Sequence, residues 1–201
     1  MTDALLDRFV SIESGSPTFR LFVCGNGGSG KSTMARAIAS AFRARSVEID
    51  ALRWTPQWTL RPVEEVLELL EAATTEARWV VEDGSVRWVR LLSSRADLIV
   101  WLDPPLAGCL ARVVWRSVLR WGSRYPASRD REPLRLSWRH WQWCWRYRGE
   151  RRPAHLDLAR RASDRVVHLT RWRDIRRLAR ALEASRDRIL PARRDNRTTA
   201  S

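Results

Sequence analysis

Gly25-Asn26-Gly27-Gly28-Ser29-Gly30-Lys31-Ser32-Thr33 is the stretch whose reading decides the fold. It satisfies the phosphate-binding pattern G-x4-G-K-[ST] at every fixed position. Leu21-Phe22-Val23-Cys24, just before it, is a short apolar run that reads as a buried strand. Just after it, Ala35, Ile38, Ala39 and Phe42 recur at helical spacing. A glycine-rich turn between strand and helix lets the backbone wrap closely round a polyphosphate. Successive N–H groups then point inward as an anion nest, and the helix N-terminus adds its positive dipole end. All nine residues from Gly25 to Thr33 are therefore candidate ATP-binding residues. Lys31 is placed to reach the β- and γ-phosphates, and the Ser32 hydroxyl to ligate Mg²⁺. Lysine and arginine together number 37, and the one lysine is Lys31. Arginine serves wherever else a cation is wanted, but this loop takes a compact point charge on a thin stem.

The 201 residues suit one domain with a sizeable core. A formal charge of +14 points to an anionic partner, whether nucleotide, nucleic acid or acidic membrane surface. Cys24, Cys109 and Cys144 are far apart and show no metal-ligand spacing, and His140, His155 and His168 add none. A reduced, cytoplasmic chain is expected. The first residues lack a signal-peptide apolar region, and no apolar run approaches the ~18 residues of a membrane span.

Residues 3 to 14 read as a helix closed by Gly15-Ser16-Pro17. Val47 to Asp50 reads as the second strand, with Asp50 at its carboxyl end. A loop with Trp54 and Trp58 follows, then a helix opened by Pro62. Trp79 to Gly84 reads as the third strand, followed by a helix through Val86, Val89 and Leu92. Leu98 to Leu102 reads as the fourth strand, ending at Asp103-Pro104-Pro105, where a long helix starts and runs to about Arg120. Residues 122 to 133 read as a loop, Leu134 to about Arg148 and Leu156 to Arg160 as helical. Val166 to Leu169 is the fifth strand, and Ile175, Leu178, Ala179 and Leu182 mark the last helix. Near-continuous apolar strands alternating with helices predict an α/β fold, a parallel sheet covered on both faces. The expected division is an N-terminal helical extension over 1–18, one domain over 19–190 with an Arg/Trp-rich, lid-like helical insertion at about 121–152, and a disordered tail over 191–201.

A loop of this kind works with a second acid near the metal. Asp83 and Asp103 both end apolar runs; Asp83 is preferred, holding Mg²⁺ through water, with Glu82 the weaker alternative. Asp103, ahead of two prolines, reads more simply as a helix cap. Asp50 is placed to bind the acceptor, or to act as general base for a hydroxyl acceptor. Arg112, Arg116, Arg120 and Arg124 share one helix face with no acid between them, which suits phosphate contacts. Residues 104 to 152 hold twelve Arg against three acids, and six of the twelve Trp. Such a segment suits a lid over a nucleotide or a nucleic-acid surface.

These segments together resemble the topology modulation proteins, small P-loop NTPases related to adenylate kinase. The resemblance runs from about residue 20 to 183. It is carried by Gly25–Thr33, by Ile49-Asp50-Ala51-Leu52 with Trp54 and Pro56-Gln57-Trp58, by Trp79 to Gly84, by Arg95 to Asp103 and by the Arg112/Arg116/Arg120 stripe. The chain departs where Arg53 replaces the family's usual His and where Ser85-Val86 replaces Asn-Tyr. The resemblance implies a five-stranded, nucleoside-monophosphate-kinase-like P-loop fold. It also implies acceptor contacts by Asp50, Arg53 and Arg87, and catalytic roles for Lys31, Arg112 and Arg116. The activity expected on residues and resemblance together is γ-phosphate transfer from ATP–Mg²⁺ to a nucleotide or other small acceptor. Two alternatives stand: a nucleotide-dependent regulator that binds DNA or RNA through the basic, Trp-rich segment, and a small-metabolite or antibiotic hydroxyl kinase. The oligomeric state is left open.

Overall fold

Val80, Val81, Val100 and their neighbours on the strands are buried on both sides, and the layering of the molecule follows from that. The computed structural model describes residues 2–55, 57, 59–119 and 138–189. The elements are α1 (Thr2–Gly15), β1 (Phe19–Gly25), α2 (Lys31–Ala41), β2 (Arg45–Glu48), α3 (Ile49–Arg53), α4 (Val63–Ala73), β3 (Arg78–Asp83) and α5 (Val89–Arg95). They continue with β4 (Leu98–Leu102), α6 (Leu106–Leu119), α7 (Trp138–Trp145), α8 (Tyr147–Glu150), α9 (Arg152–Arg161), β5 (Val166–Leu169) and α10 (Trp172–Ile189). The strands form one sheet in the order β2-β3-β1-β4-β5, and every pairing is parallel.

Strand alternation divides the core in two. Leu21, Val23, Val80 and Val100 face α2, α10 and α1, where they meet Met34, Ile38, Leu178, Leu182 and Phe9. Phe22, Cys24, Val81, Ile99 and Trp101 face α4, α5 and α9, where they meet Leu70, Leu92 and Leu158. Phe9 of α1 lies 5.9 Å from the Phe42 ring, and Phe19 stacks on Phe42 at 4.6 Å. The N-terminal helix is thus part of the first core layer.

Several boundaries differ from the sequence reading. The second strand ends at Glu48, and Ile49-Asp50 opens α3, with Asp50 in its first turn, where an acid suits the helix dipole. The helix expected through Val86 begins at Val89, and Val86 is exposed. The fourth crossover helix starts at Leu106, beyond both prolines. The expected loop over 122–133 and the tail over 191–201 fall outside the described residues, as do Arg120 and Arg124.

The central position of β1 shapes the site. The chain leaves β1 for the strands on its β3 side and leaves β3 for those on its β4 side, so the strand order reverses at β1 and a crevice opens at the carboxyl ends of β1, β3 and β4. The glycine-rich loop fills it.

Candidate phosphate-binding site

The loop is held by close backbone approach. Gly25 (φ +144°) lies so near the end of β4 that an added Cβ would sit 2.2 Å from the Leu102 carbonyl oxygen. Gly28 (φ +76°) packs on α6, where a Cβ would sit 2.4 Å from the Cys109 carbonyl oxygen. Gly30, at φ +98°, turns the chain into α2. No side chain caps that helix, and no acid stands in its first turn, so its free N–H groups face the loop. Asn26 closes the loop from within: its Oδ1 accepts from the Gly27 N–H at 2.7 Å, and its carbonyl accepts from Lys31 Nζ at 3.0 Å.

The acid facing this loop is Glu82. Ser32 Oγ donates to Glu82 Oε1 at 3.1 Å, and Lys31 Nζ stands 4.0 Å from Glu82 Oε2. Strand alternation is the cause. Glu82 shares a face with Val80, which packs on α2, so it meets the residues that open α2. Asp83 shares the opposite face with Val81. The expectation for Asp83 changes accordingly: its carboxylate accepts from the Gly84 N–H at 2.7 Å, from the Ser85 N–H at 3.0 Å and from the Ser85 hydroxyl. Asp83 shapes the turn after β3, and Glu82 stands at the loop.

Burial governs both carboxyls. It raises the Glu82 pKa to about 7, against the opposing pull of Lys31 and the Ser32 hydrogen bond. It raises Asp83 as well, opposed first by the bonds from Ser85. Glu82 Oε2 is buried without a hydrogen-bond partner among the described residues, an arrangement that costs free energy unless a cation or donor meets it. One hydroxyl and one carboxylate, with a spare carboxylate oxygen, suit a hard cation such as Mg²⁺, which keeps most of its shell as water and phosphate oxygen.

The other expected site residues are more dispersed. Asp50 is exposed and lies 3.5 Å from Arg53 Nη1. Its charge nonetheless reaches Glu82 and Asp83, helping to raise both. Arg87 is exposed on the turn after β3. Arg112 is also exposed, and its guanidinium lies 4.9 Å from the Trp172 ring centre. Arg116 stands one turn on in α6, but its side chain is outside the described ones.

Three groups were not singled out as site residues in the sequence. Asp103 binds Arg152 Nε at 2.9 Å and His168 Nε2 at 3.2 Å, so it ties α9 to β5 rather than capping α6. Trp101 Nε1 donates to the Tyr147 hydroxyl at 2.9 Å, and that oxygen stands 3.2 Å from His155 Nδ1. Trp143 and Cys144, at the end of α7, sit on the loop itself. Asn26 Nδ2 donates to the Cys144 carbonyl at 3.0 Å, and a Cβ on Gly84 would lie 2.7 Å from the Trp143 ring.

His155 gives the fold an acid-sensitive point. Burial lowers its pKa to about 4, so it is neutral in the native state. Between that value and the ~6.5 of an unfolded His, the unfolded chain holds more protons. Its contribution is complete above pH 6.5 and is lost as the pH falls towards 4, by on the order of 3 kcal/mol. Because Glu82 acts in the opposite sense over this range, the term is read from the difference between proteins: between pH 7 and pH 4.5, urea unfolding should show His155→Leu faring better than the wild type by about that amount.

The comparisons with known proteins agree with this architecture. The profile of the ATPase family associated with various cellular activities (AAA) matches residues 21–86, the segment from β1 to the turn after β3. Among solved structures, a shikimate kinase from Acinetobacter baumannii, in complex with shikimate, is similar over 85% of this chain and 94% of that one, at 16% identity and a TM-score of 0.55. A gluconokinase from Sinorhizobium meliloti 1021 is similar over 85% and 93%, at 18% identity and a TM-score of 0.50. No match was found among curated proteins. Sheet order, loop and structural likeness define a P-loop protein with the kinase-type fold. Among the described residues, no helix is long and apolar enough to cross a membrane.

Proposed function

We propose that this protein is an ATP-dependent phosphotransferase that moves the γ-phosphoryl group to a small acceptor. The observation that carries the proposal is the grouping of Lys31, Ser32 and Glu82 at a glycine-lined loop, on the opening turn of an uncapped helix. In this reading the amides of Gly25–Thr33 hold the polyphosphate, and Lys31 exchanges the Asn26 carbonyl for β- and γ-phosphate oxygens. Ser32 and Glu82 hold Mg²⁺, with Glu82 taking the place first given to Asp83. The ion supplies charge neutralisation on the transferring group. Catalysis of this kind rests on positioning and electrostatics, so no covalent nucleophile is needed.

For the acceptor, the reading includes the nucleoside monophosphates implied by the resemblance to topology modulation proteins and adenylate kinase. Asp50 and Arg53, on α3 after β2, and Arg87, on the turn after β3, are the acceptor-side groups. A second reading is a kinase of small-molecule hydroxyls. It is favoured by the exposed carboxylate of Asp50, which suits a general base, and by structural neighbours that are a gluconokinase and a shikimate kinase. The three buried free cysteines fit a reducing, cytoplasmic setting.

The test is ADP formation from ATP–Mg²⁺ against nucleoside monophosphates, nucleosides, sugars and hydroxy acids. Turnover that depends on one acceptor supports the proposal and names its substrate. ATP binding with no acceptor raising turnover above slow hydrolysis contradicts it for those classes.

A further inference from the structure

The end of α7 occupies the mouth of the loop, and its contacts there are specific. The Asn26 side chain is 98% buried although it belongs to a loop read as a ligand cradle, and the group that takes its Nδ2 hydrogens is the Cys144 backbone carbonyl, 118 residues away. Ser29 is fully buried, and its hydroxyl has no hydrogen-bond partner among the described residues. The Trp143 ring lies against Gly84; the Cβ position that it nearly touches is itself 3.3 Å from Lys31 Nζ. Lys31 is turned back onto the Asn26 carbonyl.

A second residue secures this arrangement. The Arg151 guanidinium lies 3.9 Å from the Trp143 ring centre, and Nη2 donates to the Trp143 carbonyl. Arg151 is 7% exposed, and its Nε has no hydrogen-bond partner. A buried cation whose donors go to a carbonyl and a ring face, with the Glu150 carboxylate 3.7 Å away and one donor unused, is only partly compensated where it stands. The α8–α9 segment that carries it is anchored separately, by Tyr147 on Trp101 and by Arg152 on Asp103. Trp143 and Cys144 lie on α7, ahead of both anchors in sequence, while Arg151 stays with the anchored segment.

We propose that the end of α7 is a built-in plug, with Trp143 and the Cys144 carbonyl stopping the phosphate cradle and Arg151 and Asn26 latching it, so that a polyphosphate enters only when α7 is displaced. The proposal rests on the nucleotide-binding reading above. Displacement frees Asn26 Nδ2 and Arg151 Nη2 together, two donors released on the side where an anion arrives. The plugged state lowers apparent affinity by the fraction of molecules that are open. It also keeps the cradle closed to small anions too weak to lift α7.

Stopped-flow binding of a fluorescent ATP analogue with Mg²⁺ tests this, on the wild type and on Trp143→Ala. The expected result is a wild-type rate that levels off at high nucleotide, set by opening, and a variant that binds faster and at least about fivefold more tightly. Hydrogen–deuterium exchange on the wild type is the second measurement, and it stands even if the variant fails to fold. Addition of ATP–Mg²⁺ should speed exchange in residues 141–146. Weaker binding by Trp143→Ala, or slowed exchange in 141–146, makes Trp143 a ligand contact and overturns the plug while leaving the nucleotide reading intact. Absence of binding by both proteins overturns both.

Discussion

Glu82→Gln should raise the stability of the ligand-free protein at pH 8 by on the order of 3 kcal/mol, and lower Mg²⁺-dependent phosphate transfer by about 100-fold. The stability gain follows from linkage. The folded pKa of Glu82, about 7, lies above the 4.5 of the free side chain, so the folded state binds the proton more tightly. Its contribution is complete below pH 4.5 and is lost as the pH rises through 7. A glutamine cannot ionise and keeps that contribution at every pH. Urea unfolding should therefore show no gain at pH 4, a growing gain from 4.5 to 7, and a constant one above. The loss of transfer follows from the same carboxylate, because its oxygens face Ser32 and Lys31 where the ion would sit. A variant less stable than wild type at pH 8 would show that the buried carboxylate is already well compensated. His155 acts in the opposite sense between pH 4 and 6.5, so the Glu82 term is read from the difference between variant and wild type at each pH.

Gly25→Ala should cost roughly 3 kcal/mol or more. Two effects add. The φ of +144° is closed to a residue with a Cβ, and that Cβ would meet the Leu102 carbonyl at 2.2 Å. The obstacle is the backbone of a central strand, which has no side-chain rotamer to yield. Gly30→Ala is the matched comparison. Its φ is also positive, but nothing lies within 4 Å of its Cβ position, so backbone strain alone applies, at about 1–2 kcal/mol. Denaturant midpoints should rank wild type above Gly30→Ala above Gly25→Ala. Equal losses would mean that the loop and β4 separate easily.

The strands and the loop were legible because their signals are local. The apolar run Leu21–Cys24, the glycines and the helical spacing after Lys31 lie within a few turns of one another, and β1 and α2 stand where they indicate. The side on which an acid falls was less legible. Asp83 and Glu82 are neighbours, and choosing between them needs the face of β3 that packs on α2; alternation from Val80 carries that signal once the partner of Val80 is known. The surroundings of the arginine stripe were hidden for a different reason. Arg112 has no acid beside it in sequence, but its partner is the Trp172 ring, 60 residues on, and periodicity holds no trace of so distant a contact. Asp103 is a similar case, with its partners Arg152 and His168 49 and 65 residues away. Nor does any local pattern put the Cys144 carbonyl on Asn26, because a backbone acceptor carries no residue signature.

The measurement that bears most directly on the central claim is calorimetric titration of ATP–Mg²⁺ into the wild type and into Lys31→Ala at pH 7.5. Among the described residues Lys31 donates to the Asn26 carbonyl and stands beside Glu82, so its truncation removes a charge-assisted phosphate contact worth about 2–3 kcal/mol and spares both core layers. The expected result is saturable one-to-one binding by the wild type and roughly 100-fold weaker binding by a variant that keeps the wild-type circular dichroism spectrum. Equal affinity in the two proteins, or no saturable binding by the wild type, would contradict it.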